Sequence, residues 1–190
     1  MIRLKVFGVP IQFSFLFIAL LSLMLFLDQS GVAFWGSIAA ALHEIGHVLS
    51  LWICHNKPAL LSFEVTGIRL VEGRKGLSFF CEIFVLGAGC MVNLMLFLLS
   101  LHFGWFTFAT ANFCVGSFNL LPSGVLDGGR ILQTVLSQFL STKTVHLICR
   151  MISLILVFFL LIVGIFLFLE SYNPTLLLTA VYLLLAFIFR

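Results

Sequence analysis

Apolar residues run along this chain in long blocks, not in the alternating or three-and-four patterns of half-buried strands and helices. Six blocks stand out, at about 12–28, 32–54, 79–101, 105–121, 146–169 and 175–189. Most approach the roughly 20 residues a helix needs to cross the hydrocarbon of a bilayer. The fourth and sixth are short, and the fourth stops at Pro122, which predicts an end buried in protein instead of bare in lipid. Arg3 and Lys5 precede the first block in the manner of a secretory signal, but no small-x-small cleavage site follows it directly, so it reads as a retained span.

Two stretches break the block pattern. Residues 61–76 set Phe63, Val65, Ile68, Leu70 and Val71 among polar residues, with Gly67, Gly73 and Gly76 as punctuation. This predicts a short β-hairpin at the inner leaflet, between the second and third spans. Residues 129–139 place Ile131, Leu132, Val135, Leu136 and Phe139 at helical spacing and predict an amphipathic helix on the same side. The expected fold is an all-α polytopic membrane protein of about six transmembrane helices plus that hairpin. No repeat or linker divides it, so one domain is expected over 1–190.

Composition strengthens the membrane reading. Of 190 residues, 62% are hydrophobic and 9% charged, an apolar excess too large for the core of so short a chain to hide. With the N-terminus inside, all ten Lys and Arg fall on the inner side, while the outer loops carry Asp28 and Glu170. The positive-inside rule then favours an even number of spans with both termini cytoplasmic. A multi-pass membrane protein is the expected setting. The net charge of +3 is too small and too scattered for a nucleic-acid groove. Five cysteines lack CxxC or regular spacing and read as small packing residues.

The second block holds the chemistry. His43, Glu44 and His47 lie within five residues in the string HEIGH. Ionisable groups are costly inside a span and are usually functional or paired. Histidines at i and i+4 share a helical face and can grip one metal ion, while the intervening glutamate reaches water bound to it, as in the zinc-peptidase signature HExxH. A structural polar cluster is the plainer alternative, but three titratable groups in lipid need a compensating partner, which a divalent cation supplies. A catalytic zinc takes three protein ligands and a water. His102 and His146 lie at the wrong depths, and Cys54 and His55 are too far along the same helix. Asp127, in NLLPSGVLDGGR at 119–130, is the better third ligand; an Asp-Gly turn or a helix N-cap is its alternative role. Asn93 and Asn119 either tie helices together or contact substrate and the developing oxyanion.

Together these residues resemble the site-2 proteases, intramembrane zinc metalloproteases. Their pattern is HExxH, then Gly-Pro-x-x-Asn, then Asn-x-x-Pro-x-x-x-x-Asp-Gly, each on a core helix. Here His43 to His47, Gly89-Cys90-Met91-Val92-Asn93, and Asn119 through Pro122 to Asp127 and Gly128 are similar, and Glu82 resembles the acidic residue that commonly leads into the second motif. The likeness covers a core at about 32–140. Cys90 stands where the family usually has proline, and Gly124 and Val125 replace a proline-rich stretch. The chain looks like the minimal, stage IV sporulation protein FB-like branch. The resemblance implies one zinc per chain, and cleavage of membrane-embedded or membrane-adjacent segments in regulated intramembrane proteolysis. The implied partners are a membrane-tethered protein substrate, the lipid bilayer and a regulatory membrane protein, with no nucleic acid. The rival readings are a metal-ion transporter, disfavoured because the outer halves of the spans are almost without polar residues, and a catalytically idle scaffold, disfavoured by the intact ligands and base.

Overall fold

Leucine, isoleucine and phenylalanine dominate the apolar blocks, and in a computed structural model they form helices. The structure describes residues 2–6, 9–28, 30–55, 60–64, 67–71, 77–172 and 175–188. Among these residues the helices are α1 (Phe15–Leu27), α2 (Val32–Ile53), α3 (Phe79–His102), α4 (Phe106–Asn119), α5 (Asp127–Leu136), α6 (Thr142–Ser171) and α7 (Thr175–Ile188). Three of them, α2, α3 and α6, are long and apolar enough to cross a membrane. The other predicted spans are α1, α4 and α7, of 13, 14 and 14 residues. At 1.5 Å per residue each reaches only about 20 Å, against about 30 Å of hydrocarbon.

The expectation of an all-α chain with a single hairpin needs correction. Four short strands, β1 (Ile2–Val6), β2 (Val9–Phe13), β3 (Leu60–Glu64) and β4 (Gly67–Val71), form a sheet in the order β1-β2-β3-β4. Strands β1 and β2 pair antiparallel, β2 and β3 parallel with Ile11 opposite Leu61, and β3 and β4 antiparallel with Leu60 opposite Val71. The cause of the extra pair is visible in Ile2-Arg3-Leu4-Lys5-Val6, which alternates apolar and polar residues with the period of a strand. Arg3 and Lys5 belong to that alternation as well as to the basic flank of the first span. Beyond residue 71, the predicted hairpin's end lies outside the described residues.

Two compact units are distinguishable, Met1–Phe118 and Asn119–Arg190. The junction falls at the last turn of α4, between Gly116 and Pro122.

In the first unit α2 begins from a tight turn. Gly31 takes a left-handed φ of 72°, and the Asp28 carboxylate accepts the backbone N–H groups of Ala33 at 2.7 Å and Phe34 at 3.2 Å. The Ser30 hydroxyl donates to the same carboxylate at 2.7 Å. Foremost through that hydroxyl, and then through the backbone donors, the Asp28 carboxyl is held below its ordinary value. Its negative charge sits where the helix dipole favours it.

Helices α2 and α3 approach closely because glycines face each other. A Cβ on Gly46 would lie 3.0 Å from the Ala88 carbonyl oxygen and 3.1 Å from the Gly89 Cα. Small residues permit this in lipid, where apolar side chains gain nothing by leaving one hydrocarbon for another. In the second unit Gly164 serves α6 against Leu177 of α7. The loop into α5 is anchored by Ser153 of α6, whose hydroxyl accepts the Gly124 N–H at 3.1 Å and donates to the Cys149 carbonyl at 2.7 Å.

Candidate metal centre

Helical spacing puts His43 and His47 on one face of α2, and that face is turned into protein. Both are buried, at 2% and 5% exposure. Their ring orientation follows from partners on two other helices. The Asn112 side-chain N–H donates to the Phe108 carbonyl at 2.9 Å, so its Oδ1 is the atom left to accept from Asn93 Nδ2, also at 2.9 Å. Asn93 Nδ2 also donates to the Ala39 carbonyl at 3.1 Å. That leaves Asn93 Oδ1 toward His43 Nδ1, 2.6 Å away. An amide oxygen only accepts, so His43 must donate through Nδ1. His47 Nδ1 faces the Val85 carbonyl oxygen at 2.7 Å, another pure acceptor, and must donate as well.

The other side of each ring follows directly. With both Nδ1 groups donating outward, the two Nε2 atoms converge at 3.1 Å, a spacing that suits two ligands of one ion. Two nitrogens each 2.0–2.1 Å from one tetrahedral zinc sit about 3.3 Å apart. Imidazoles held by second partners at Nδ1 and converging through Nε2 are the usual form of a histidine metal site. The donors thus fit a divalent metal ion. Gly89 supplies the floor: a Cβ there would lie 2.6 Å from both Nε2 atoms.

The remaining candidates separate cleanly. Glu44 occupies the next position on α2 and is half-buried. Cys90, buried at 6% exposure, brings its Sγ within 4.8 Å of a His43 ring nitrogen. His55, His102 and His146 are exposed. In the second unit Asp127 is the first residue of α5, half-buried, with Leu126 at the N-cap position. Gly128 and Gly129 let this turn press on the preceding loop, since a Cβ at either would overlap the Leu120 or Ser123 carbonyl oxygen. Asn119 closes α4, half-buried.

Asn93 is fully buried; its two amide hydrogens go to Ala39 and Asn112 and its oxygen faces His43, so of its two expected roles the helix-tying one is visible, and it also positions the His43 ring. Asn112, also at 0% exposure, was missed by sequence reasoning, although an amide in the middle of a short apolar helix is the type of residue that usually has a structural or functional partner. Replacing Asn112 with leucine strands the Asn93 amide and frees the His43 ring. Zinc affinity should fall about 10–100-fold, as for other residues that orient a ligand, while Asn112→Asp keeps the acceptor and most of the affinity. Competition against a chromophoric chelator measures both; equal affinities would disconnect this relay from the metal.

Known proteins share this fold. The structure superposes on a site-2 protease from Methanocaldococcus jannaschii with a TM-score of 0.71 at 24% identity, covering 96% of this chain and 91% of that one. The fold is that of a site-2 protease. Residues 99–163 match the model of peptidase family M50. That match includes Asp127 and stops short of the HEIGH helix. A zinc metalloprotease of the same organism is 29% identical over 178 residues, 82% of this chain. The chain spans about half, 52%, of that relative's length. The site-2 protease fold and the three long apolar helices make this an integral membrane protein.

Proposed function

We propose that the chain is an intramembrane zinc endopeptidase that cleaves membrane-embedded or membrane-adjacent segments of other proteins. The observation that carries this reading is the pair of Nε2 atoms converging at 3.1 Å with both Nδ1 groups donating outward. His43, His47 and Asp127 are the proposed ligands of one zinc ion. Zinc held there would supply a Lewis acid that activates water and polarises the scissile carbonyl. Glu44 is the proposed general base, taking a proton from the attacking water and giving it to the leaving amine. Burial of the two histidines among α2, α3 and α4 keeps the rings from wandering and limits water to what the reaction uses.

A helical substrate hides its carbonyls in internal hydrogen bonds and has to unwind before cleavage. Strand β4 lies at an edge of the four-stranded sheet, and an extended segment adds there by main-chain hydrogen bonds. In the bilayer, α1, α4 and α7 are proposed to join the three long helices as a six-span bundle, their short ends covered by protein. The β3–β4 hairpin then lies at the inner leaflet, with both termini in the cytoplasm of a bacterial cell. Reporter fusions after residue 190 check this, because an external C-terminus rules out an even number of spans. The substrate is a membrane-tethered protein, and a second membrane protein regulates access.

Metal removal tests the activity itself. Membrane proteomes from cells with and without the active protein supply candidate substrates. The full chain in detergent should cut one of them, lose that activity to a chelator and recover it with zinc. Cleavage that persists in the metal-free protein ends the proposal.

A further inference from the structure

Two of the five cysteines meet where α2 ends and α3 begins. Cys54 is the C-cap residue of α2 and Cys81 the third residue of α3, and their side chains hydrogen-bond to each other. The packing register agrees with this meeting. The two helices run in opposite directions, with His43 beside Asn93, Gly46 beside Gly89 and His47 beside Val85. Eight residues on from Gly46 and eight back from Gly89 arrive at Cys54 and Cys81, about 12 Å along each axis. Each backbone is fixed by the helix end it sits on: the Cys54 N–H donates to the Ser50 carbonyl at 3.0 Å, and the Cys81 N–H to the Ser78 hydroxyl at 3.4 Å. A cysteine in a helix interface is ordinarily a buried apolar filler. These two are instead half-buried free thiols, sulfur to sulfur, and open to a small reagent.

We infer that Cys54 and Cys81 form a redox-active dithiol, closed to a disulfide by a low-molecular-weight disulfide such as oxidised glutathione and reopened by the matching thiol. One protein thiolate attacks a sulfur of the reagent and expels one small thiolate; the second attacks the resulting mixed disulfide at the protein sulfur and expels the other. The two protein thiol protons end on the two small thiols released. Two protein thiols and one small disulfide thus become one protein disulfide and two small thiols. The bond ties the end of α2 to the start of α3 and closes the 26 residues from 55 to 80, β3 and β4 among them, into a loop. On the proposed topology this end of the pair faces the cytoplasm, where such bonds are transient and follow the redox state. The pair stands apart from the proposed metal ligands, and its chemistry does not depend on bound zinc.

The test equilibrates the full chain in detergent with glutathione at a series of reduced-to-oxidised ratios, quenches it with an alkylating reagent and maps its peptides by mass spectrometry. Oxidised wild type should yield a peptide pair two hydrogens lighter in which Cys54 is linked to Cys81, with no glutathione left on either, and excess reduced glutathione should reopen it. Cys54→Ser should hold one glutathione on Cys81, and Cys81→Ser one on Cys54, because the thiol that would expel it is gone. Glutathione retained on both Cys54 and Cys81 of the wild type overturns the proposal. So does a bond from either of them to Cys90, Cys114 or Cys149, a bond between two chains, or a pair that stays reduced in oxidised glutathione. The wild-type result decides alone, so a variant that fails to fold leaves the test intact. The same linkage is expected with and without zinc. A chain that closes the bond but binds no metal upholds the dithiol and ends the metal centre, and a zinc-loaded chain without the bond does the reverse.

Discussion

Replacing Gly89 with alanine should strip zinc from the chain while leaving its helices in place. The added Cβ would lie 2.6 Å from His43 Nε2, 2.6 Å from His47 Nε2 and 2.7 Å from His43 Cε1. Something must shift, and the neighbours are poorly placed to do so. Each ring is tied at Nδ1, His43 to Asn93 and His47 to the Val85 carbonyl. The helices cannot separate cheaply either, because Gly46 already rests on Ala88 and Gly89. A displacement of about 1 Å at a reacting centre costs on the order of 10²-fold in rate, and a metal pair forced off its geometry also loses affinity. Gly87, two residues earlier on α3, has nothing within 4 Å of its Cβ position. Gly87→Ala therefore serves as the matched control, with normal zinc. If Gly89→Ala retains zinc as well as Gly87→Ala does, the converging-histidine geometry is wrong.

This contrast also shows where sequence reasoning stops. The i, i+4 spacing of His43 and His47 determines that they share a face, and the string HEIGH therefore pointed to a metal without any tertiary information. What holds the rings is tertiary. The acceptor for His47 is the Val85 backbone carbonyl, to which no side chain calls attention. Asn93 was legible as a polar group in an apolar span, but its role depended on Asn112 and Ala39 taking up its amide hydrogens. Cys90 was visible only as a departure from a motif, since its distance from His43 comes from how α3 packs on α2. The N-terminal strands are a different failure. The alternation in Ile2–Val6 was present in the sequence, and the basic residues within it were assigned to membrane topology alone.

Glu44→Gln separates proton transfer from metal binding. Glutamine keeps the shape of the side chain and removes its basicity, so the metal shell should survive while water activation fails. Loss of a general base is worth about 10²–10⁴ in rate. Glu44 lies one residue after His43, and the His43 and His47 rings are held at Nδ1 by Asn93 and the Val85 carbonyl, contacts that a change at position 44 leaves in place. Near-normal zinc per chain is therefore expected in this variant. Asp127→Ala removes a proposed ligand and should lower zinc per chain itself, with cleavage falling in proportion to the metal lost. Excess zinc should restore part of the activity of Asp127→Ala and none of that of Glu44→Gln. Both variants and the wild type can be purified in the same detergent, assayed for zinc, and tested on one membrane-tethered substrate. A Glu44→Gln protein that cleaves at the wild-type rate would mean that the proton goes elsewhere. An Asp127→Ala protein with full zinc would mean that another donor completes the shell.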